Sequence, residues 1–274
     1  MAPQFLTLQQ ALTHPDQTLT PAQLTLMLTN IGALDPTVRD QTIYSLFAQQ
    51  FEHQTLSLDQ KNRIARHLLQ NHDLFASIDG PQSPLVFLRS FTALLTALVL
   101  SDDAQTHWLT PELRDHFFND ALTYLPRETD QRGWTVNGWA DGVSHGADLL
   151  GAAWAHPAFP PDAVMTALHA LRTVLLRQTQ VFQFDEEPRL AMTLVMAFQA
   201  HHLTTDQLKN WLATTDQQLW HGFDFDDLSS VARLHNWLSV LHHLMFLIPA
   251  NTAIQAQITT LSRHYYQVNG YLPR

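Results

Sequence analysis

Thr20-Pro21-Ala-Gln-Leu24-Thr-Leu-Met27-Leu28-Thr-Asn-Ile31 sets a hydroxyl side chain before a proline and then returns an apolar residue every three or four positions. Proline suits the first helical turn, because its fixed φ matches the backbone there and its missing N–H would have had no partner. The apolar interval is that of a helix with one buried face. Working outward, the same device recurs at Asp35-Pro36, Ser83-Pro84, Thr110-Pro111 and Glu187-Pro188. Two capping boxes, Ser57-Leu-Asp-Gln60 and Thr204-Thr-Asp-Gln207, mark further starts. Leu168, Leu171, Leu175 and Leu176 repeat the helical interval, and no segment alternates polar and apolar residues as a half-buried strand does. The expected fold is all-α, about a dozen helices with no sheet.

Connections between these segments are short, so consecutive helices are expected to be antiparallel neighbours. So many helices cannot all surround one four-helix core; the expected architecture is an α/α superhelix of the HEAT/armadillo kind, with a closed ring as the other solution. No strict sequence period is present. Residues 1–274 read as one helical domain, and the longest irregular stretch, Pro126 to Val136 with Glu128, Asp130 and Arg132, reads as an internal break or as a loop lying across the end of the stack.

Composition narrows the function classes. The 274 residues are 45% hydrophobic and 15% charged, too apolar for a disordered chain. Without cysteine there is no disulfide framework, thiolate metal site or cysteine nucleophile. A formal charge of -10, with Lys61 and Lys209 the only lysines and the arginines scattered singly, argues against nucleic acid and anionic membrane as partners. The start, Met1-Ala-Pro-Gln-Phe-Leu, does not resemble a signal peptide, and the apolar runs Phe91 to Leu100 and Leu244 to Ala250 fall short of the roughly 20 residues that span a bilayer. A soluble cytoplasmic protein is expected.

The densest polar segment runs from Arg132-Gly-Trp to Asp148-Leu-Leu. On a helix, Asp141, His145 and Asp148 are spaced by four and three and share a face. Three readings remain open for them: a divalent-metal site, a polar binding or catalytic pocket, and a buried network tying two helices together. Gly138, Gly142 and Gly146 recur every fourth residue, a stripe expected to admit close packing. Gly142-Val-Ser144-His-Gly146 matches the nucleophile-elbow string but lacks the preceding buried strand that gives it meaning. His201, His202, His235, His242 and His243 show no metal-ligand spacing and read as scattered surface or half-buried side chains. In Phe184-Asp-Glu-Glu-Pro-Arg189 three carboxylates favour a helix start, with Arg189 just inside. Arg89 interrupts an apolar helix, and Asp141, Asp148 and Glu187 are its expected partners.

With those residues in view, the chain resembles the bacterial domain of unknown function 2785 family. The likeness rests on Val38-Arg-Asp40 with Tyr44, Val86-Phe-Leu-Arg89-Ser-Phe91-Thr-Ala-Leu94, Arg132-Gly-Trp through Gly138-Trp-Ala, His145-Gly-Ala-Asp148-Leu-Leu, Glu187-Pro-Arg189-Leu-Ala and Asn236-Trp-Leu. The resemblance implies an all-helical, repeat-like fold and no assigned activity. The chain departs from it in carrying Asp141 where a histidine is expected, four before His145, and Pro188 after Glu187 where an acidic pair precedes the arginine.

The expectation for function is a binding or interaction scaffold in which Arg89, Asp141, His145, Asp148, Glu187 and Arg189 converge on a concave polar groove, with a protein or small molecule as partner. The competing expectation is a small-molecule enzyme or metal site, with His145 as base or ligand and Asp141 or Asp148 orienting it. A third is that these polar groups only hold the helices in register. No cofactor is expected, apart from a divalent metal on Asp141, His145 and Asp148 in the competing case.

Overall fold

A computed structural model describes residues 3–14 and 16–273, and the chain is mostly helical. It divides into two compact units, one up to His156 and one from Pro157. The first unit contains α1 (Pro3–Leu12), α2 (Pro21–Thr29), α3 (Pro36–Val38), α4 (Ser45–Glu52), α5 (Leu58–Asn71), α6 (Leu85–Thr106), α7 (Pro111–Arg127) and α8 (Gly142–Ala155). A π-helical turn, Arg39–Tyr44, joins α3 to α4. The second unit contains α9 (Val164–Leu176), α10 (Glu186–Gln199), α11 (Thr205–His221), α12 (Leu228–Leu247) and α13 (Thr252–Val268).

The helix starts follow the local chemistry. Thr20, Asp35 and Thr110 each precede a proline and accept a backbone N–H of the first turn, and the boxes at Ser57 with Gln60 and Thr204 with Gln207 are reciprocal. Two starts shift. α6 begins at Leu85, after Pro84, and α10 begins at Glu186 after Asp185, which takes the left-handed conformation at φ 65°. α6 is also longer than its apolar run, at 22 residues, and by length and composition it is able to cross a membrane; 72% of its most apolar window is buried inside the protein, as in a core helix.

The most extensive helix contacts are α6 on α8 and α10 on α12, each two places along, and α7 on its neighbour α8; α11 on α13 repeats the first kind in the second unit, while α1 packs on α4 and α2 on α5. Large side chains fill these contacts. Trp211 and Trp237 meet edge to face at 5.7 Å, and each buried indole N–H has an acceptor, Leu168 O at 2.8 Å and Asp216 Oδ1 at 2.9 Å respectively. Asn236, fully buried, accepts from Phe182 N and donates to Gln180 O, so it fastens the loop before α10 to α12.

One expectation is corrected. A small sheet exists: β1 (Trp134–Thr135) and β2 (Gly138–Trp139) form an antiparallel hairpin. Strands of two residues are too short to show alternation in the sequence. The stretch Pro126 to Val136 lies inside the first unit, where its side chains are tied to α6 and to the segment before it.

Candidate functional site

The hairpin is held from below by one arginine. The π-helical turn carries Arg39, which is fully buried. Its Nη1 donates to Ala33 O at 2.6 Å, and its Nη2 donates to Asn137 O at 2.8 Å and Trp139 O at 3.2 Å. Its Nε meets Asp40 Oδ1 at 2.7 Å, and the guanidinium lies over Phe87 and Phe91 at 4.4 and 4.8 Å. Burial pulls the Arg39 pKa below its ordinary value against the opposing pull of Asp40, and burial raises Asp40 against Arg39. Gly138 has φ +81°, and a Cβ there would come within 2.7 Å of Pro36 Cβ. Only glycine satisfies both conditions. The product is a fastened hairpin with exposed side chains at both ends: Val136 in the turn is 99% exposed, and the Trp134–Trp139 pair at the open end is 56% and 38% exposed, its two indoles edge to face at 4.9 Å.

The chain leaves the hairpin straight into α8. Ala140 N donates to Gly133 O and Asp141 N donates to Arg132 O, which closes the hairpin at its root. Asp141 is not helical but takes the left-handed conformation at φ 47°, and its carbonyl accepts His145 N at 2.9 Å. Ser144 and His145 are buried in the first turn of α8, where the imidazole stands edge-on to Phe91 at 5.2 Å. Asp148 is half-buried one turn further on.

Beneath α8 lies the clasp of Arg89 and Glu128. Arg89 Nε and Nη2 donate to the two Glu128 oxygens at 2.6 and 2.9 Å, and Nη1 donates to Ala76 O at 2.9 Å. Tyr124 Oη and Asp130 N add two further donors to Glu128. Burial alone lowers Arg89, but the bond and charge of Glu128 outweigh it, so the guanidinium pKa is raised. Burial and the neighbouring Glu128 charge push the Tyr124 phenol well up. Gly142 and Gly146 let α8 settle on this clasp: a Cβ on Gly142 would meet Glu128 Cγ at 2.8 Å, and one on Gly146 would meet Tyr124 and Leu125 at 3.0 Å. The glycine stripe therefore serves close packing, with Gly138 belonging to the hairpin rather than to the helix. Arg132 pairs with Asp130 and donates to Ser83 O at 2.6 Å, which ties the irregular stretch down.

Of the residues expected in one groove, Arg89, Asp141, His145 and Asp148 belong to the first unit, and Glu187 and Arg189 to α10 of the second. The carboxylate partner of Arg89 is Glu128, not Asp141, Asp148 or Glu187. Helix-face reasoning overlooked Glu128 because it sits in the loop after α7. At the start of α10, Glu186 folds back to accept Phe184 N at 2.7 Å, and burial raises its pKa. Among the described residues no three His, Asp or Glu side chains are gathered as a metal ion requires. Ser144 lies within a helix that follows a two-residue strand, not at a strand-to-helix turn of an α/β sheet. His202 stacks on Phe159 and His242 on Tyr266, packing roles for two of the scattered histidines.

Sequence reasoning also missed a fully buried carboxylate, Asp103, which accepts from Arg114 Nε at 2.7 Å, Leu109 N at 2.7 Å and His156 Nε2 at 3.0 Å. Burial pushes Asp103 up, yet these three donors together hold it well below the usual carboxylate range. Both it and His156 are closed to solvent, so the pair is a fastening rather than a reaction centre.

These features define a mainly helical protein with arginine-carboxylate clasps in its core and a hairpin that carries a pair of exposed tryptophans. The family model described as "Protein of unknown function (DUF2785)" matches residues 74–246, and the chain belongs to that family. The match takes in the hairpin, α8, Arg89, Glu128, Glu187 and Arg189, while Arg39 lies outside it. No curated protein and no solved structure matched.

Proposed function

We propose that this chain is a binding protein and that it engages a protein partner through the hairpin Trp134–Trp139. The supporting observation is the contrast between the hairpin's exposed side chains and its anchored backbone. Two-residue strands have little stability of their own. A fully buried arginine, a positive-φ glycine and the root bonds at Gly133 and Arg132 nevertheless hold Trp134 and Val136 out in water, with Trp139 partly exposed beside Trp134. Exposing such side chains in a fixed geometry is unfavourable for the isolated chain, and rigid tryptophans are frequent anchors of protein interfaces. The contacts of α6 with α8 and of α10 with α12, beside the adjacent pair α7 and α8, support a stack of helix pairs, an α/α superhelix, as the frame that presents the hairpin.

The test compares proteins retained from extracts of the source cells by the full-length chain and by a Trp134→Ser/Val136→Ser variant. Both positions are exposed, so thermal stability is expected to stay within a few degrees of wild type. A partner retained by the wild type and weakened at least about tenfold in the variant supports the reading. Equal retention by a stably folded variant contradicts it.

A further inference from the structure

Carboxylates outnumber cations in this chain, 25 to 15, and its buried cations are matched to acids, as in Lys61 with Asp102, Arg89 with Glu128 and Arg39 with Asp40. One cleft departs from that pattern. Between α2 and α5, a space of about 390 Å3 is lined by Thr25, Leu28 and Thr29 from one side and by Arg63, Arg66, His67 and Gln70 from the other, with no carboxylate in its lining. The four α5 residues follow an i, i+3, i+4, i+7 spacing, so they form one face of the helix.

Arg63 is already oriented. Its Nη2 donates to Thr25 Oγ1 at 2.5 Å and its Nη1 donates to Pro21 O at 3.3 Å, which fixes the guanidinium across the cleft. Arg66 is exposed and bonds only its own helix, through Nε to Asn62 O at 3.2 Å. Among the described residues neither arginine meets a carboxylate. Burial holds His67 below its ordinary pKa, against the pull of Asp73 at 3.7 Å and with Arg63 adding to the depression, so the ring is a neutral hydrogen-bonding group at neutral pH. Two like charges on one helix face repel each other, and an anion placed between them removes that cost. Guanidinium forks and hydroxyls suit a tetrahedral oxyanion, and the volume lies within the roughly 300–1,000 Å3 range of small-molecule pockets. The overall charge of -10 repels anions, so any anion held here is held by local chemistry.

We propose that the cleft between α2 and α5 binds the phosphate group of a small organic phosphate, with Arg63 and Arg66 as its charged clamp and Thr25 and Thr29 as hydroxyl partners. The cleft lies outside the family match and is independent of the hairpin. Calorimetric titration of the full-length chain with phenyl phosphate and, separately, with inorganic phosphate tests it. Arg63→Gln and Arg66→Gln are each expected to weaken binding about tenfold. Arg263→Gln, an exposed arginine of α13, is expected to leave binding unchanged. Tighter binding of phenyl phosphate assigns the site to an organic monoester, and equal binding of the two assigns it to free phosphate. No heat of binding for either probe, or equal binding by wild type and both cleft variants, overturns the proposal.

Discussion

Arg89 and Glu128, which are 39 residues apart, close a two-point clasp in which both carboxylate oxygens accept from one guanidinium, at 2.6 and 2.9 Å, with the two side chains almost fully removed from water. A buried pair of this kind resists the loss of one member more than the loss of both, because the survivor keeps its desolvation cost without its partner. Glu128→Gln is therefore expected to lower unfolding free energy by about 3 kcal/mol, and Arg89→Met combined with Glu128→Leu by less than the sum of the single changes. Urea denaturation of the full double-mutant cycle checks this. Additive single effects would contradict it.

Gly138 combines φ +81° with a Cβ position only 2.7 Å from Pro36. Gly138→Ala is expected to cost about 2 kcal/mol and to release the hairpin before the rest of the first unit. Native-state hydrogen exchange reads this directly: the amides of Ala140 and Asp141, which donate to Gly133 O and Arg132 O, should exchange faster while α6 amides keep their protection. Unchanged exchange at both amides would contradict the anchoring described.

Asp103 sets an acid limit. Its folded pKa is depressed, so its contribution to stability is fully present above the unfolded value near 4 and is lost as pH falls toward the folded value. Below pH 4, wild-type stability is expected to fall more steeply than that of Asp103→Asn, by up to about 1.4 kcal/mol per pH unit. The variant should be the less stable protein at pH 7. Parallel pH profiles from chemical denaturation would show that Asp103 is not depressed.

Features carried by neighbouring residues could be read in the sequence, and features carried by distant contacts could not. Thr20, Asp35, Thr110, Ser57 and Thr204 act within one turn of themselves, and each caps the helix it announces. The hairpin was illegible because its strands are two residues long and its anchor, Arg39, lies 98 residues before Asn137. Arg89 was recognisable as an arginine in need of an acid, but the acid came from a loop. Asp141 has the spacing of a helical ligand and yet precedes the helix, because the chain turns out of the hairpin there through a left-handed residue. The cationic face of α5 passed as singly scattered arginines, because what gathers Arg63 and Arg66 into one cleft is Thr25 and Thr29 lying opposite.

Hydroxyl-radical footprinting tests most directly whether the hairpin is the recognition surface. Oxidation of Trp134, relative to that of Phe246, which is 87% exposed in the second unit, is compared between the purified chain and the chain in an extract of its own cells. The account predicts that Trp134 oxidation falls severalfold in the extract while Phe246 is unchanged. An equal Trp134 to Phe246 ratio in both samples would contradict it.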